Sequence, residues 1–102
     1  MNLEPKSSLF DHLAPWPMDS AKTCLIRART CSRLAKLVTG RLRRVLYALK
    51  DQNLFQAITA SPDDLEVRHD RNLFPGLLLI VLKDQKGVCV HTHESWIRDA
   101  HA

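Results

Sequence analysis

Nine basic residues and no acidic one lie between Asp19 and Asp51, and five of them recur every seven residues: Lys22, Arg29, Lys36, Arg43 and Lys50. Seven residues make two turns of an α-helix, so on a helix these side chains share one row, which Arg27, Arg33, Arg41 and Arg44 broaden. The segment carries +9 and the whole chain +4, which leaves −5 for the rest of the molecule. Such polarisation predicts an acidic partner. Arginine outnumbers lysine six to three in this stretch, and its planar fork suits phosphate oxygens. A solvated helix face ordinarily mixes charges to gain pairs at i,i+4. Here Arg27, Arg29 and Arg33 stand together, as do Arg41, Arg43 and Arg44.

The expectation is a small basic binding protein, with no cofactor and no enzymatic activity, that contacts DNA or RNA phosphate backbone without reading sequence. Its nucleic-acid-binding candidates are Lys22, Arg29, Arg33, Lys36, Arg41, Arg43, Arg44 and Lys50. Tyr47, four residues from Arg43 and three from Arg44, is the aromatic placed to meet a nucleotide or sugar. The alternative is a protein–protein interaction module, an inhibitor or accessory subunit that masks an acidic protein surface.

A second group, Cys89-Val-His91-Thr-His93, alternates as strand residues do, which puts Cys89, His91 and His93 on one face. A thiolate and two imidazoles are a reasonable zinc set, completed by Glu94 or the distant His69. Ligands at i, i+2 and i+4 of one strand nevertheless span over about 13 Å, so all three reach one ion only if the strand bends. The expectation is therefore no metal, with these three as secondary candidates.

A catalytic reading makes His91 or His93 a general base, with Arg98 or a helix arginine holding phosphate. The order of helices, three-stranded sheet and terminal segment loosely resembles small ribonuclease toxins of the RelE and HigB type. Thr92, His93 and Trp96 within Val88–Trp96 carry the resemblance, which implies RNA cleavage. Those folds open with a strand that residues 1–18 do not supply, and their sheet bears a lysine and arginine cluster that this one lacks.

The elements that must position these groups follow from periodicity. A chain of 102 residues with 45% apolar and 25% charged residues fits one globular domain. Residues 1–18, with Pro5, Pro15 and Pro17, read as an N-terminal arm that Leu9, Phe10, Leu13 and Trp16 can pin to the core. Residues 19–102 form the single domain. Asp19 or Ser20 caps a helix. Apolar positions then run Cys24, Ala28, Cys31, Ala35, Val38, Leu42, Val45, Leu49, alternating steps of four and three without a change of phase. That pattern predicts one long basic amphipathic helix with a kink available at Gly40, continuing past Asp51 through Leu54, Phe55 and Ile58 or restarting after Asn53 as a second helix. A competing reading breaks the chain at Gly40 into a helix–turn–helix, with Leu34, Ala35, Val45 and Leu49 in its core. Cys24 and Cys31 read as small core residues.

Ser61-Pro62-Asp63-Asp64 ends the helical part. Leu65–His69, Gly76–Leu82 and Val88–Thr92 read as strands, the last two joined by the turn Asp84-Gln85-Lys86-Gly87. Glu94–Ala102 reads as a short terminal helix anchored by Trp96 and Ile97. The fold class is thus α+β: a long helix packed on a three-stranded antiparallel meander. No apolar run is long enough to cross a bilayer, and Met1–Pro17, with Glu4 and Asp11, lacks the apolar stretch of a secretory signal. Three cysteines without a CxxC pair suit a reduced, cytoplasmic setting. The length of the seam also allows a homodimer.

Overall fold

Helix α1 (Ala21–Ala35) starts where Ser20, in extended geometry, accepts a hydrogen bond from the Thr23 amide at 3.2 Å. Of the two expected caps it is thus Ser20 that serves, while Asp19 accepts from the Trp16 amide at 2.9 Å and pairs with Arg27. A computed structural model describes residues 12–16, 19–69 and 77–93 of the chain. Helix α1 is followed by helix α2 (Gly40–Ala60), a 3-10 turn (Pro62–Asp64), and strands β1 (Leu65–His69), β2 (Leu77–Leu82) and β3 (Cys89–His93).

The expected long helix is interrupted at residues 36–39. Thr39 is extended (φ −132°, ψ 172°) and Gly40 sits at φ +65°. That left-handed value cannot continue a right-handed helix, and glycine takes it at little steric cost. The break escapes a periodicity argument because Leu42 and Val45, which carry the apolar row past Gly40, are exposed, while the buried face of α2 is offset from that row. Small residues on α1 (Ala28, Cys31 and Ala35) form one side of the contact between the helices, and Leu46, Leu54 and Ala57 on α2 the other. The row in the sequence keeps its phase, but the buried one, which takes up Leu46 in place of Val45, does not.

The strands form an antiparallel meander in the order β1-β2-β3, with Leu65 opposite Leu82, and Leu77 opposite His93. Leu78, Ile80 and Leu82 alternate toward the helices, as do Val90 and Thr92. Helix α1 is the element that lies on this sheet. The larger core joins Ala21, Cys24, Leu25 and Ala28 to Leu54 and Ala57 and to the sheet residues Leu65, Ile80, Leu82, Val88 and Val90. A smaller cluster, Leu13, Cys31, Ala35 and Leu46, flanked by Leu34, Val38 and Leu49, contains no strand residue. The tip of the helical hairpin therefore projects past the sheet. The architecture is two helices on a three-stranded antiparallel sheet, an α+β fold.

Leu13 is buried and its carbonyl accepts from Asn53 Nδ2 at 2.7 Å, which ties the segment preceding α1 to α2. Trp16, expected to help pin the arm, is 59% exposed. Leu9, Phe10, the expected terminal helix Glu94–Ala102, Arg98 and most of the arm lie outside the described residues. Among those described, no helix is long and apolar enough to cross a membrane.

Candidate nucleic-acid interface

The hairpin takes the seven-residue series of cations apart as a row. Lys22 and Arg29 stay on α1, Lys36 enters the turn, and Arg43 and Lys50 fall on α2. Lys22, Arg33, Lys36, Arg41, Arg43 and Arg44 are exposed. Arg29 is half-buried and donates from Nη1 to the Gly87 carbonyl at 2.9 Å, bracing α1 against the β2–β3 turn. Arg43 Nε donates to the carbonyls of Ala35 (3.0 Å) and Val38 (2.9 Å), closing the C-terminus of α1. The Ala35 carbonyl is unsatisfied within the helix, Val38 lies in the turn beyond it, and a cation there also meets the negative end of the helix dipole. Arg27 is held by Asp19 and by the Ala14 carbonyl at 3.3 Å.

Lys50 is the clearest departure from the expected row, since it is only 7% exposed. Its ammonium lies 3.5 Å from Asp51 Oδ1 and 5.5 Å from the centroid of the Tyr47 ring. Its stem is buried along the hairpin while its head keeps polar and π company.

Two groupings survive this sorting. The first is the hairpin tip, where Arg33 and Lys36 close α1 and Arg41, Arg43 and Arg44 open α2. No acidic residue stands in the first turn of α2, and its N-cap Thr39 makes no side-chain hydrogen bond. The positive end of a helix dipole, with free amides, is thus surrounded by like charge. The second is a cleft of about 410 Å³ between the hairpin and the end of the sheet, lined by Ser32, Lys36, Tyr47, Lys50, Leu77, His91, Thr92 and His93. Folding the series back brings Lys36 and Lys50, fourteen positions apart, to the same cleft. Thr92 on its wall is buried at 2% exposure, and among the described residues its hydroxyl has no hydrogen-bond partner. An orphaned buried hydroxyl costs about 1–3 kcal/mol.

Sequence reasoning did not find Ser32, Thr92 or Leu77 as neighbours of Lys36. Only the alternation of β3, which turns Thr92 toward the helices, carried a hint of it. His91 and His93 occupy the exposed positions of β3, and Cys89 is half-buried beside them. Among the described residues no three His, Cys, Asp or Glu side chains come close enough to hold a metal ion. Burial pushes the thiol of Cys24 up from its ordinary value, with a further push from Asp19 and an opposing pull from Arg27. Burial likewise pushes Cys31 up to about 11. Both behave as core residues, inert as thiolates at neutral pH. Comparison of the chain with protein-family models, with curated proteins and with solved structures finds no match.

Proposed function

We propose that this protein binds the phosphate backbone of nucleic acid, without reading base sequence, through the tip of its helical hairpin. The observation that carries the reading is local and physical. Arg41, Arg43 and Arg44 crowd the uncapped, positive end of α2, where an acid would stabilise the helix and none is present. Residues that conflict with their own helix mark places where something outside the fold is served. A phosphate at that terminus meets free amides and several guanidinium groups at once. Arg33, Arg41 and Arg44 contribute most, with Lys36 shared with the neighbouring cleft. Arg43 is exposed, though its Nε holds α1. Lys22 stands at the far end of α1, Arg29 is tied to Gly87, and Lys50 is buried, so these three contribute least at the tip.

A labelled duplex and a labelled single strand, titrated at increasing salt, test this reading. Four neutralised phosphates give a log–log slope near about −3.6 on duplex, or roughly 100-fold weaker binding between about 50 and 200 mM salt. Arg33→Glu, Arg41→Glu and Arg44→Glu together abolish the slope. Affinity indifferent to salt, or unchanged in that triple variant, contradicts the reading.

A second reading, docking against an acidic protein surface, draws on Leu37, Leu42 and Val45. They are 79%, 41% and 36% exposed and belong to the same tip. Apolar groups ringed by arginine are usual in protein interfaces. Binding to a purified acidic partner that Leu37→Ser and Leu42→Ser weaken, with duplex affinity untouched, selects this reading. Self-association through the same patch is read directly by sedimentation.

A further inference from the structure

We infer that the cleft beside the tip is a subsite for a single unpaired nucleotide, its phosphate held by Lys36 and Lys50 and its base set against Tyr47. The inference takes its ligand class from the nucleic-acid reading, but it stands on a different set of residues. The cleft lies within the size range of small-ligand sites. Among the described residues its lining holds two ammonium groups and no carboxylate. Asp51, which is not part of that lining, lies 3.5 Å from Lys50 and is a carboxylate that an incoming phosphate displaces. Tyr47 is 36% exposed, enough to offer ring surface to a base. The hydroxyl of Ser32 and the imidazoles of His91 and His93 add groups able to bond phosphate or sugar.

Thr92 is the independent observation. It faces the helices on the same side of β3 as Val90, opposite Leu78, in an otherwise apolar layer. Valine has the same shape and would fill that position with no unmade hydrogen bond. A buried hydroxyl without a partner, on the wall of a cation-lined cleft, points to an oxygen that arrives from outside. The ligand is thus a nucleoside monophosphate unit, supplied either as a free nucleotide or as one residue of a bound strand.

Titration with a nucleoside 5′-monophosphate, followed by NMR or calorimetry, tests this, with the parent nucleoside as the control that lacks the charge. The monophosphate binds and the nucleoside binds at least about tenfold more weakly. Thr92→Val lowers the affinity about tenfold while leaving the melting temperature equal or higher, and Thr92→Ser, which keeps the hydroxyl, retains it. Lys50→Met, which keeps the buried stem, costs about tenfold or more. Asp51→Asn strengthens binding. The variant Arg33→Glu/Arg41→Glu/Arg44→Glu keeps monophosphate affinity within about threefold, so failure at the tip and failure in the cleft are separable. A 5′-phosphorylated strand that competes more tightly than the mononucleotide identifies a strand as the source, and one that competes no better identifies the free nucleotide. No binding of the monophosphate, or binding that Thr92→Val and Lys50→Met leave unchanged, overturns the inference.

Discussion

At the sheet end of the helical hairpin, Leu25, Leu54 and Ile80 are fully buried among side chains from three elements, and Arg29 is tied to the Gly87 carbonyl. At the tip, the buried cluster holds four of the described residues against eleven, none of the four on a strand, and the first turn of α2 sets arginines around an uncapped terminus. The same two helices thus run from a region packed jointly by helices and sheet to one in which several choices work against the fold. Local conflict of this kind is tolerated where it serves binding. The contrast separates basic residues that brace the structure (Arg27, Arg29 and Nε of Arg43) from those available to a partner at the tip (Arg33, Lys36, Arg41 and Arg44).

The largest effect that sharpens the contrast is on stability. Leu54→Ala removes a fully buried side chain at the sheet end and costs about 3–5 kcal/mol, whereas Leu46→Ala, in the smaller cluster, falls nearer about 2 kcal/mol. Chemical denaturation reads both, and equal costs would mean that the tip is packed as tightly as the rest. Next comes Gly40→Ala. A Cβ there meets nothing within 4 Å, so the whole penalty is that of the left-handed backbone, about 1–2 kcal/mol. A neutral outcome would show that the turn tolerates an ordinary residue.

Smaller effects follow from charge and titration. Arg41→Glu replaces a cation with an anion in the first turn of α2 and stabilises the helix by about 0.3–1 kcal/mol at low salt, read as a rise in melting temperature. In Cys31 the folded thiol titrates near 11 against an ordinary 9.0. The unfolded chain therefore loses its proton first. This contribution is complete below the ordinary value and is lost as pH rises through the folded one. Cys31→Ala lowers stability at neutral pH by roughly 1 kcal/mol and flattens the decline in alkali, measured by denaturation across that range.

Much of this architecture is legible in the bare chain, and the exceptions have physical reasons. The apolar run ending at Leu82 and the alternating Leu65–His69 each place a strand within a residue of where it lies, and Ser61-Pro62 stops the second helix. Both follow from local steric rules and from period-two patterning. The break at Lys36–Thr39 is legible only as the competing reading at Gly40, because the apolar row of the sequence runs on through Leu42 and Val45, which the fold leaves exposed. The burial of Lys50 is hidden, since its seven-residue spacing from Arg43 is the same whether its stem faces water or a neighbour. The cleft joins residues from both helices and two strands, so its members carry no common spacing. What could be read was an excess of charge; the chain alone did not reveal which charges were already engaged.

The division between bracing and available cations is tested most directly by one thermal-shift comparison: the wild-type chain and Arg33→Glu/Arg41→Glu/Arg44→Glu, each melted with and without an excess of short duplex. Ligand that binds only the folded state raises the melting temperature. The wild-type protein is expected to gain several degrees from the duplex, and the variant to start at an equal or higher temperature and to gain nothing. A variant that melts well below the wild type, or that gains as much from the duplex, contradicts the account.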